Sequence, residues 1–548
     1  MIRENNNFFR CPSCKDELKN NKLNFECERC KKKFIKTQKY EDFFMEENNY
    51  KSSQNLKTIL NDIERKNYQY AIENFLNQNS SLQSELKNTK WSRVIDGGFH
   101  GIGKNNSNCL CIGSELGNEV EILSNIYNRV FSIHHIDEIL QFQHHRLKNL
   151  NNNTILLKSN PIKLPFPDNF FDFIFCGFSL ENIPKLNNIE KDYELRFLNE
   201  IKRVLNPQGV FYIGTKNKLG KKFSSKLIED DKFSKNQFSI KDVESLFKKS
   251  KINLKSYWVI PSLNKPHYSA KLNDSITSSW FYKNLDVFLK EESLQLKQKI
   301  GAFFLGRIPG RLSNSLMRKF SPYIIHCGSK GNFSNTIEEI IQAETGYSNY
   351  LLVSRRSKIK IISIDEKGNS RKVTSINRYE HNFPKIIEKF ERVFPKMHDP
   401  LNKIWIEDWI PGRKLEPSNL KEVINTMKWL IDFQKKSNQG IVSEKEINIE
   451  IEDLKEGLNH FPKEKFELFS LWLNEYKKYI LTKKIPITGV HGDFWIGNIL
   501  FDSRQKKISV IDWELFREKG NSLYDFMLFL YNLMTMVKGD DPISSFSK

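Results

Sequence analysis

Four cysteines, Cys11, Cys14, Cys27 and Cys30, follow the spacing C-x2-C-x12-C-x2-C, at which two thiolate pairs can surround one Zn²⁺ tetrahedrally. The spacer KDELKNNKLNFE is long enough for a hairpin between the pairs. Four thiolates leave no open coordination position, so the zinc this pattern implies is structural and not catalytic. Near the other end, GVHGDFWIGNILFD sets Asp493 five residues before Asn498, and the apolar run SVIDWE delivers Asp512 nineteen residues after Asp493. Phosphoryl transfer to a hydroxyl needs a proton acceptor beside the attacking oxygen and oxygen ligands for Mg²⁺. Asp493 as base, with Asn498 and Asp512 as Mg²⁺ ligands, meets that demand, and His491 would brace the loop.

The elements that must position these residues differ between the halves of the chain. After a polar, amphipathic stretch over 46–104 comes an alternation of strands and helices, the pattern of a parallel, doubly wound sheet. NCLCIGSEL reads as a strand entering a turn, GNEVEILSNIY as the following helix, RVFSIHHI and NTILLKS as strands two and three, and FDFIFC as a buried strand. ELRFLNEIKRVLNPQGVFYIGTKN reads as a helix, a Pro-Gly turn and a strand, with Leu198, Ile201 and Leu205 on one helix face and Glu200, Lys202 and Asn206 elsewhere. Beyond residue 330 a β-rich stretch turns at EKGN like an antiparallel hairpin sheet. FPKIIEKFERVF is an amphipathic helix, KIWIEDWIPGRKL a strand running into a turn, and 418–481 helical.

Residues 8–45, the cysteine pairs followed by KKKFIKTQKYEDFF, resemble the short zinc ribbon found in front of small-molecule methyltransferase domains. The pieces CIGSELG, LPFPDNFFDFIF, LENI and EIKRVLNPQGVFYI resemble class I S-adenosylmethionine-dependent methyltransferases over about 105–220, and 221–328 continue as the last helix and strands of that fold. The resemblance makes Gly113 and Gly117 the cofactor-loop glycines and puts Glu115, His134 and Asn160 at cofactor-binding positions. This chain departs from the family at four places. Glu115 replaces a glycine, Cys111 an acid, His134 the ribose-binding acid unless Asp137 reaches back, and Asn160 the aspartate that reads the adenine amine. The histidine pairs at 134–135 and 144–145 face no carboxylate at ligand spacing and are expected to be exposed or on a helix surface.

Residues 335–548, above all 487–526, resemble the aminoglycoside phosphotransferase and choline kinase family, a two-lobed protein-kinase-like fold that phosphorylates small-molecule hydroxyls. The resemblance implies Mg-ATP and makes Asp525 in SLYDF a brace for the catalytic loop. Lys372 paired with Glu388 is the expected nucleotide anchor, with Lys360 as the alternative.

The expected fold class is therefore multidomain α/β and α+β: a zinc ribbon at 1–45, a helical lead-in at 46–104, a Rossmann-like methyltransferase domain at 105–328 and a kinase-like domain at 335–548. With 548 residues and 39% hydrophobic content the chain can bury several cores. The net charge of +20 is spread along the chain with no compact basic tract, which argues against a nucleic-acid partner. No apolar leader or spanning segment is visible, and eight cysteines without a secreted framework suit a reducing cytoplasm. The leading functional expectation is a bifunctional enzyme that phosphorylates, and methylates, a small molecule or glycan. Two other readings stand beside it: a kinase carrying a cofactor-free methyltransferase-like scaffold, and an RNA methyltransferase with a docking ribbon.

Overall fold

The computed structural model describes residues 8–45, 54–78, 107–114, 116–124, 127–148, 153–177, 180, 192–218, 220, 238–261, 266–284, 310–321, 323–333, 339, 342–343, 345–355, 358–376, 396–399, 404–410, 412–458, 463–502 and 507–538. These fall into two compact units: one of Met1–Arg378 with His398–Ile404, the other of Tyr379–Met397 with Trp405–Lys548. No helix among the described residues is long and apolar enough to cross a membrane.

The first unit begins with four short strands, β1 (Leu18–Asn20), β2 (Asn24–Cys27), β3 (Lys33–Lys36) and β4 (Glu41–Asp42). They run antiparallel in series, β1 and β2 forming the hairpin expected of the spacer. Helices α1 (Gln54–Arg65) and α2 (Tyr68–Gln78) follow. The alternating part comprises β5 (Asn108–Ile112), α3 (Asn118–Ser124), β6 (Arg129–His134), α4 (Asp137–Leu147), β7 (Thr154–Lys158), β8 (Phe171–Cys176), α5 (Tyr193–Val204) and β9 (Leu205–Lys216). It closes with α6 (Ile240–Lys249), β10 (Asn253–Pro261), β11 (Pro266–Lys271), α7 (Ser275–Lys283), α8 (Gly310–Phe320) and β12 (Tyr323–Ser329).

Hydrogen bonding orders these strands β7-β6-β5-β8-β9-β12-β10, with the first five parallel and β12 inserted antiparallel between β9 and β10. The order reverses direction at β5, so β5 and β8 flank the switch point where open α/β sheets bind their ligands. Pro207 and Gly209 lie not in a turn before a strand but in a bulge of β9: Phe171 pairs with Leu205 and Phe173 already with Val210.

Both edges of this sheet are extended. The ribbon strand β4 pairs in parallel with β7, Glu41 opposite Leu157 and Asp42 opposite Lys158. At the other side β11 pairs with β10 and then with β13 (Asn349–Arg355), which continues into β14 (Lys358–Ile364) and β15 (Ser370–Ile376). The sequence reading closes one domain at 328 and opens the next at 335, whereas these three strands belong to the first unit and carry its sheet onward. The cause is backbone pairing, which composition does not encode.

Aromatic rings from the ribbon, Phe9, Phe25, Phe34 and Phe43, share one core with Phe131, Phe166 and Phe171 of the sheet. The lead-in helices cover α4, with Leu56, Ile59, Leu60 and Ile63 packed near Phe142. Leu198, Ile201 and Leu205 are buried as the helical period requires, but so is Glu200, which periodicity puts on another face. Its carboxylate accepts from Lys15 Nζ at 2.7 Å, Arg203 Nη2 at 2.8 Å and the Leu164 amide at 2.7 Å. Burial opposes its charge, yet Arg203 and Lys15 hold it below the ordinary carboxylate range.

Strands β16 (Lys396–Asp399) and β17 (Ile404–Asp408) are each divided between the two units and precede the rest of the second unit. That unit contains β18 (Arg413–Lys414), α9 (Leu420–Lys436), α10 (Glu444–Leu458), α11 (Lys463–Lys483), β19 (Ile487–Val490), β20 (Ile499–Asp502), β21 (Lys507–Val510), β22 (Arg517–Asn521) and α12 (Leu523–Lys538). β20 and β21 form a hairpin, with β18 on its edge, and β19 pairs with β22. The amphipathic segment 383–394, with Glu388, lies outside the described residues.

Replacing Glu200 by Leu leaves Lys15 and Arg203 without their shared carboxylate. We expect Glu200→Leu to destabilise the first unit by about 3–5 kcal/mol, read as a lower midpoint in chemical denaturation.

Candidate functional site

Three constellations can do chemistry. In the ribbon, the Sγ atoms of Cys11, Cys14, Cys27 and Cys30 all lie within 4.8 Å of one another. A tetrahedron with Zn–S bonds of about 2.3 Å has edges of about 3.8 Å, so the four sulfurs fit that ion. Each pair closes a tight knuckle: the Lys15 amide donates to the Cys11 carbonyl and the Lys31 amide to that of Cys27, both at 2.8 Å. Lys15 and Lys31 have φ of 64° and 58°, a left-handed bend more often assigned to glycine. Burial pushes the Cys11 thiol up to about 12, whereas the Lys32 amide draws Cys30 down to about 7.

The second constellation lies at the C-terminal ends of β5 and β6. Gly113 (φ 75°) and Gly117 (φ 76°) bend the chain out of β5, and the Gly113 amide donates to the Ile133 carbonyl at 3.0 Å. Two residues that sequence reading missed hold this turn from α4. Gln143, fully buried, donates to the Ser114 carbonyl and accepts from Ser132 Oγ at 2.8 Å. Arg146 donates from Nη1 to the Leu116 carbonyl at 2.9 Å and from Nε to Glu121 at 3.0 Å. With both carbonyls drawn toward α4, the turn is set by side chains as well as by its glycines. Glu115 itself lies outside the described residues.

His134 ends β6 and is buried, against the expectation of an exposed ring; His144 and His145 do lie on α4. The His134 ring stacks on His135 at 4.7 Å, and its Nδ1 accepts from the Ile136 amide at 3.1 Å, so Nε2 carries the proton. Burial, and then His135, push its pKa down to about 3. Asp137 does not reach back: it accepts from the Tyr40 hydroxyl and from Lys158 Nζ at 2.7 Å. Asn160 is buried, its Oδ1 accepting from the Ile162 amide at 3.1 Å, while among the described residues no group meets its Nδ2. Cys111 is buried inside β5.

The third constellation is the loop between β19 and β20. Its first residues hang on Asp525, a fully buried carboxylate on α12 that accepts from the His491 amide at 2.6 Å and the Gly492 amide at 2.9 Å. Gly492 has φ 83°, and a Cβ there would lie 2.2 Å from the Leu515 carbonyl oxygen, so only glycine fits. His491 bridges the loop: Nδ1 accepts from the Asp493 amide at 3.2 Å and Nε2 meets the Ile511 carbonyl at 3.1 Å. Trp513, another residue missed from sequence, packs its ring 4.5 Å from that imidazole and donates to the Val510 carbonyl at 3.0 Å. Asn498 Nδ2 donates to Asp493 Oδ2 at 2.9 Å and to its carbonyl at 3.0 Å. The hairpin pairs Ile499 with Val510, and the Ile511 amide donates to the Asn498 carbonyl at 2.9 Å. Asp493, Asn498 and the segment ending in Asp512 are therefore brought together. Asp512 itself adopts a left-handed conformation, φ 68° and ψ 55°.

The lysines expected to anchor a nucleotide are on β14 and β15 of the first unit. Lys372 pairs with Ser363 and therefore shares a sheet face with Ser363 and Thr374, both fully buried. Lys360 pairs with Ser375, which puts it on the opposite face.

Residues 110–213 match the family described as a methyltransferase domain, and residues 410–545 match the phosphotransferase enzyme family. The chain joins a methyltransferase domain to a phosphotransferase-family domain. Over 57 residues it is 44% identical to demethylmenaquinone methyltransferase of Listeria welshimeri, covering 10% of this chain and 21% of that protein. The same enzyme of Geobacillus stearothermophilus is 41% identical over 58 residues, 11% of this chain and 21% of the relative. The chain thus spans about a fifth of the length of these curated relatives. Among solved structures, a SAM-dependent methyltransferase from Aquifex aeolicus is 23% identical, with 32% of this chain and 84% of that one covered and a TM-score of 0.25. Phosphoethanolamine N-methyltransferase 2 of Haemonchus contortus, solved with phosphomonomethylethanolamine and S-adenosylhomocysteine, is 15% identical, with 44% and 52% covered and a TM-score of 0.28.

In the phosphotransferase-family domain, burial pushes Asp525 from an ordinary 3.8 up to about 6, although the two loop amides oppose the rise. The folded domain therefore holds a proton that the unfolded chain releases at lower pH. The resulting stability is fully present below about pH 4 and lost as pH rises through about 6. Asp525→Asn should remove that slope from melting temperatures recorded between pH 4 and 7. It should also lower the midpoint at pH 7, because an NH₂ group then replaces one of the two oxygens that accept from the loop N–H groups.

Proposed function

We propose that this chain is a bifunctional transferase. Its C-terminal domain would phosphorylate a hydroxyl of a small molecule or glycan end with Mg-ATP, and its middle domain would transfer a methyl group from S-adenosylmethionine. The observation that carries the first activity is the buried tether from Asp525 to the His491–Gly492 backbone, which presents Asp493 against Asn498.

In that reading Asp493 accepts the proton of the acceptor hydroxyl as the oxygen attacks the γ-phosphorus, and ADP departs. Asn498 spends Nδ2 on Asp493, which leaves Oδ1 to face a cation. Asp512, just past the hairpin's second strand β21, supplies a carboxylate for the same ion. Mg²⁺ would supply charge neutralisation on the phosphates. Lys372 is kept as the proposed nucleotide anchor, with Lys360 as the alternative. Glu388 remains the proposed partner of Lys372.

For methyl transfer, the residues fit the donor in altered form. Gly113 and Gly117 let backbone approach it, and neutral His134 offers an Nε2–H donor to a ribose oxygen where the family offers a carboxylate. Asn160 presents an unpartnered amide donor, suited to a ring nitrogen of adenine. An unmet buried donor costs roughly 1–3 kcal/mol, which a ligand at Nδ2 would relieve. S-adenosylmethionine, when bound, supplies the activated methyl group. The four ribbon thiolates would hold structural zinc. Lysine spread without a basic tract supports a small-molecule or glycan acceptor over nucleic acid, and the cysteine usage supports a cytoplasmic setting.

Separate titrations of the full chain with Mg-ATP and S-adenosylhomocysteine test the two activities; saturable binding of both is expected, and failure of either removes that half of the reading. Asp493→Ala should abolish phosphoryl transfer and leave ATP affinity nearly unchanged, with retained turnover refuting the base assignment. Lys372→Ala should weaken ATP binding at least tenfold by calorimetry, an interaction of the strength of a charged hydrogen bond, whereas Lys360→Ala should not.

A further inference from the structure

The ribbon does more in this fold than cover a sheet edge. Two segments of the donor site, the end of β6 with its following residues and the loop after β7, are both held by ribbon side chains or backbone. At the first, the Tyr40 hydroxyl donates to Asp137, the opening residue of α4, three residues beyond His134. Asp137 also takes Lys158 Nζ at 2.7 Å, and Lys158 lies 3.9 Å from the ribbon's Asp42. Burial, with Asp137 adding to it, pushes the Tyr40 phenol well above its ordinary value, so it stays a donor.

At the second, residues 159–163 carry Asn160 and are clamped at both ends. On the near side the Phe43 amide donates to the Lys158 carbonyl at 2.8 Å. On the far side Lys15 Nζ donates to the Leu164 carbonyl at 3.2 Å, and the Arg10 amide to that of Pro165 at 3.1 Å. Lys15 also reaches Glu200 at 2.7 Å, the carboxylate that receives the Leu164 amide. All of these donors come from residues 10–43. Strands of two to four residues do not hold their own shape in water, so the ribbon's order depends on the four sulfurs and the metal they fit as well as on the core and strand pairing it shares with the sheet.

We propose that the zinc ribbon is the positioning wall of the methyl-donor site, with Tyr40 and Lys15 as positioning residues that set His134 and Asn160. Donor affinity is then coupled to ribbon zinc. This rests on the reading of residues 105–328 as an S-adenosylmethionine-binding domain. A ribbon that served only as a structural cap would affect melting temperature without changing donor affinity in a folded, zinc-loaded protein.

The test measures S-adenosylhomocysteine affinity by calorimetry on the full chain in three forms: unaltered, Tyr40→Phe and Lys15→Met. Each substitution keeps the packed body of the side chain and removes one or two hydrogen bonds. We expect one zinc per chain in all three forms and a Kd raised about tenfold in each variant, the worth of one buried hydrogen bond. Amide exchange at residues 159–163 should quicken in Lys15→Met. Removing zinc from the unaltered chain should weaken the ligand further, and returning zinc should restore it. Unchanged Kd in both zinc-loaded variants overturns the inference while leaving the donor-site reading intact. An unaltered, zinc-loaded chain that binds no S-adenosylhomocysteine overturns that reading and the inference with it.

Discussion

The constraint on which the first unit depends is the pairing of backbone groups at the edges of its central sheet. An edge strand presents a row of unpaired N–H and C=O groups that must be capped, covered or extended. Here both flanks are extended. On one, β4 of the ribbon adds in parallel to β7; on the other, β11 carries the pairing to β13, β14 and β15. A cysteine-rich segment and a hairpin sheet thereby become parts of one hydrogen-bonded structure, and the ribbon's phenylalanines enter the same core as those of the sheet.

Buried charge is the second organising feature, and it is used differently in the two units. Glu200 sits among three donors, two of them cationic, and holds α5, the ribbon and residue 164 together. Asp525 receives two backbone amides and, among the described residues, forms no salt bridge, so it keeps its charge at a cost that its raised pKa records. That cost secures a geometry: the chain at His491 and Gly492 is drawn into one conformation, and Gly492 alone can occupy it. Lys158 resembles Glu200 in kind, a nearly buried cation between Asp137 and Asp42. Removing one member of such a set costs more than the set itself contributes.

Much of the fold was legible because its strands and helices are locally consistent. The run of β5 to β9 and the helices of 420–483 follow from apolar periodicity and turn residues, and the C-x2-C pairs announce their own geometry. What was not legible followed from contacts between distant segments. Glu200 is buried because Lys15, 185 residues away, comes to it. Asp137 is turned away from the position a ribose acid would fill because Tyr40 and Lys158 claim it. Gln143 and Arg146 carry no motif, since their work is done on the carbonyls of residues 114 and 116 in another element.

Sequence by itself determined the chemistry available: four thiolates at zinc spacing, an Asp, an Asn and a second Asp at phosphoryl-transfer spacing, and glycines beside a turn that has lost its usual acids. Those are matters of residue type and local spacing, which the chain order records directly. Tertiary structure alone decided which groups are held and by what. It decided that Asp525 suspends the His491 loop, that His134 is buried as a neutral donor, and that the ribbon belongs to the sheet it precedes. The physical reason is that burial and backbone pairing are made between residues far apart in the chain, and no local pattern specifies them.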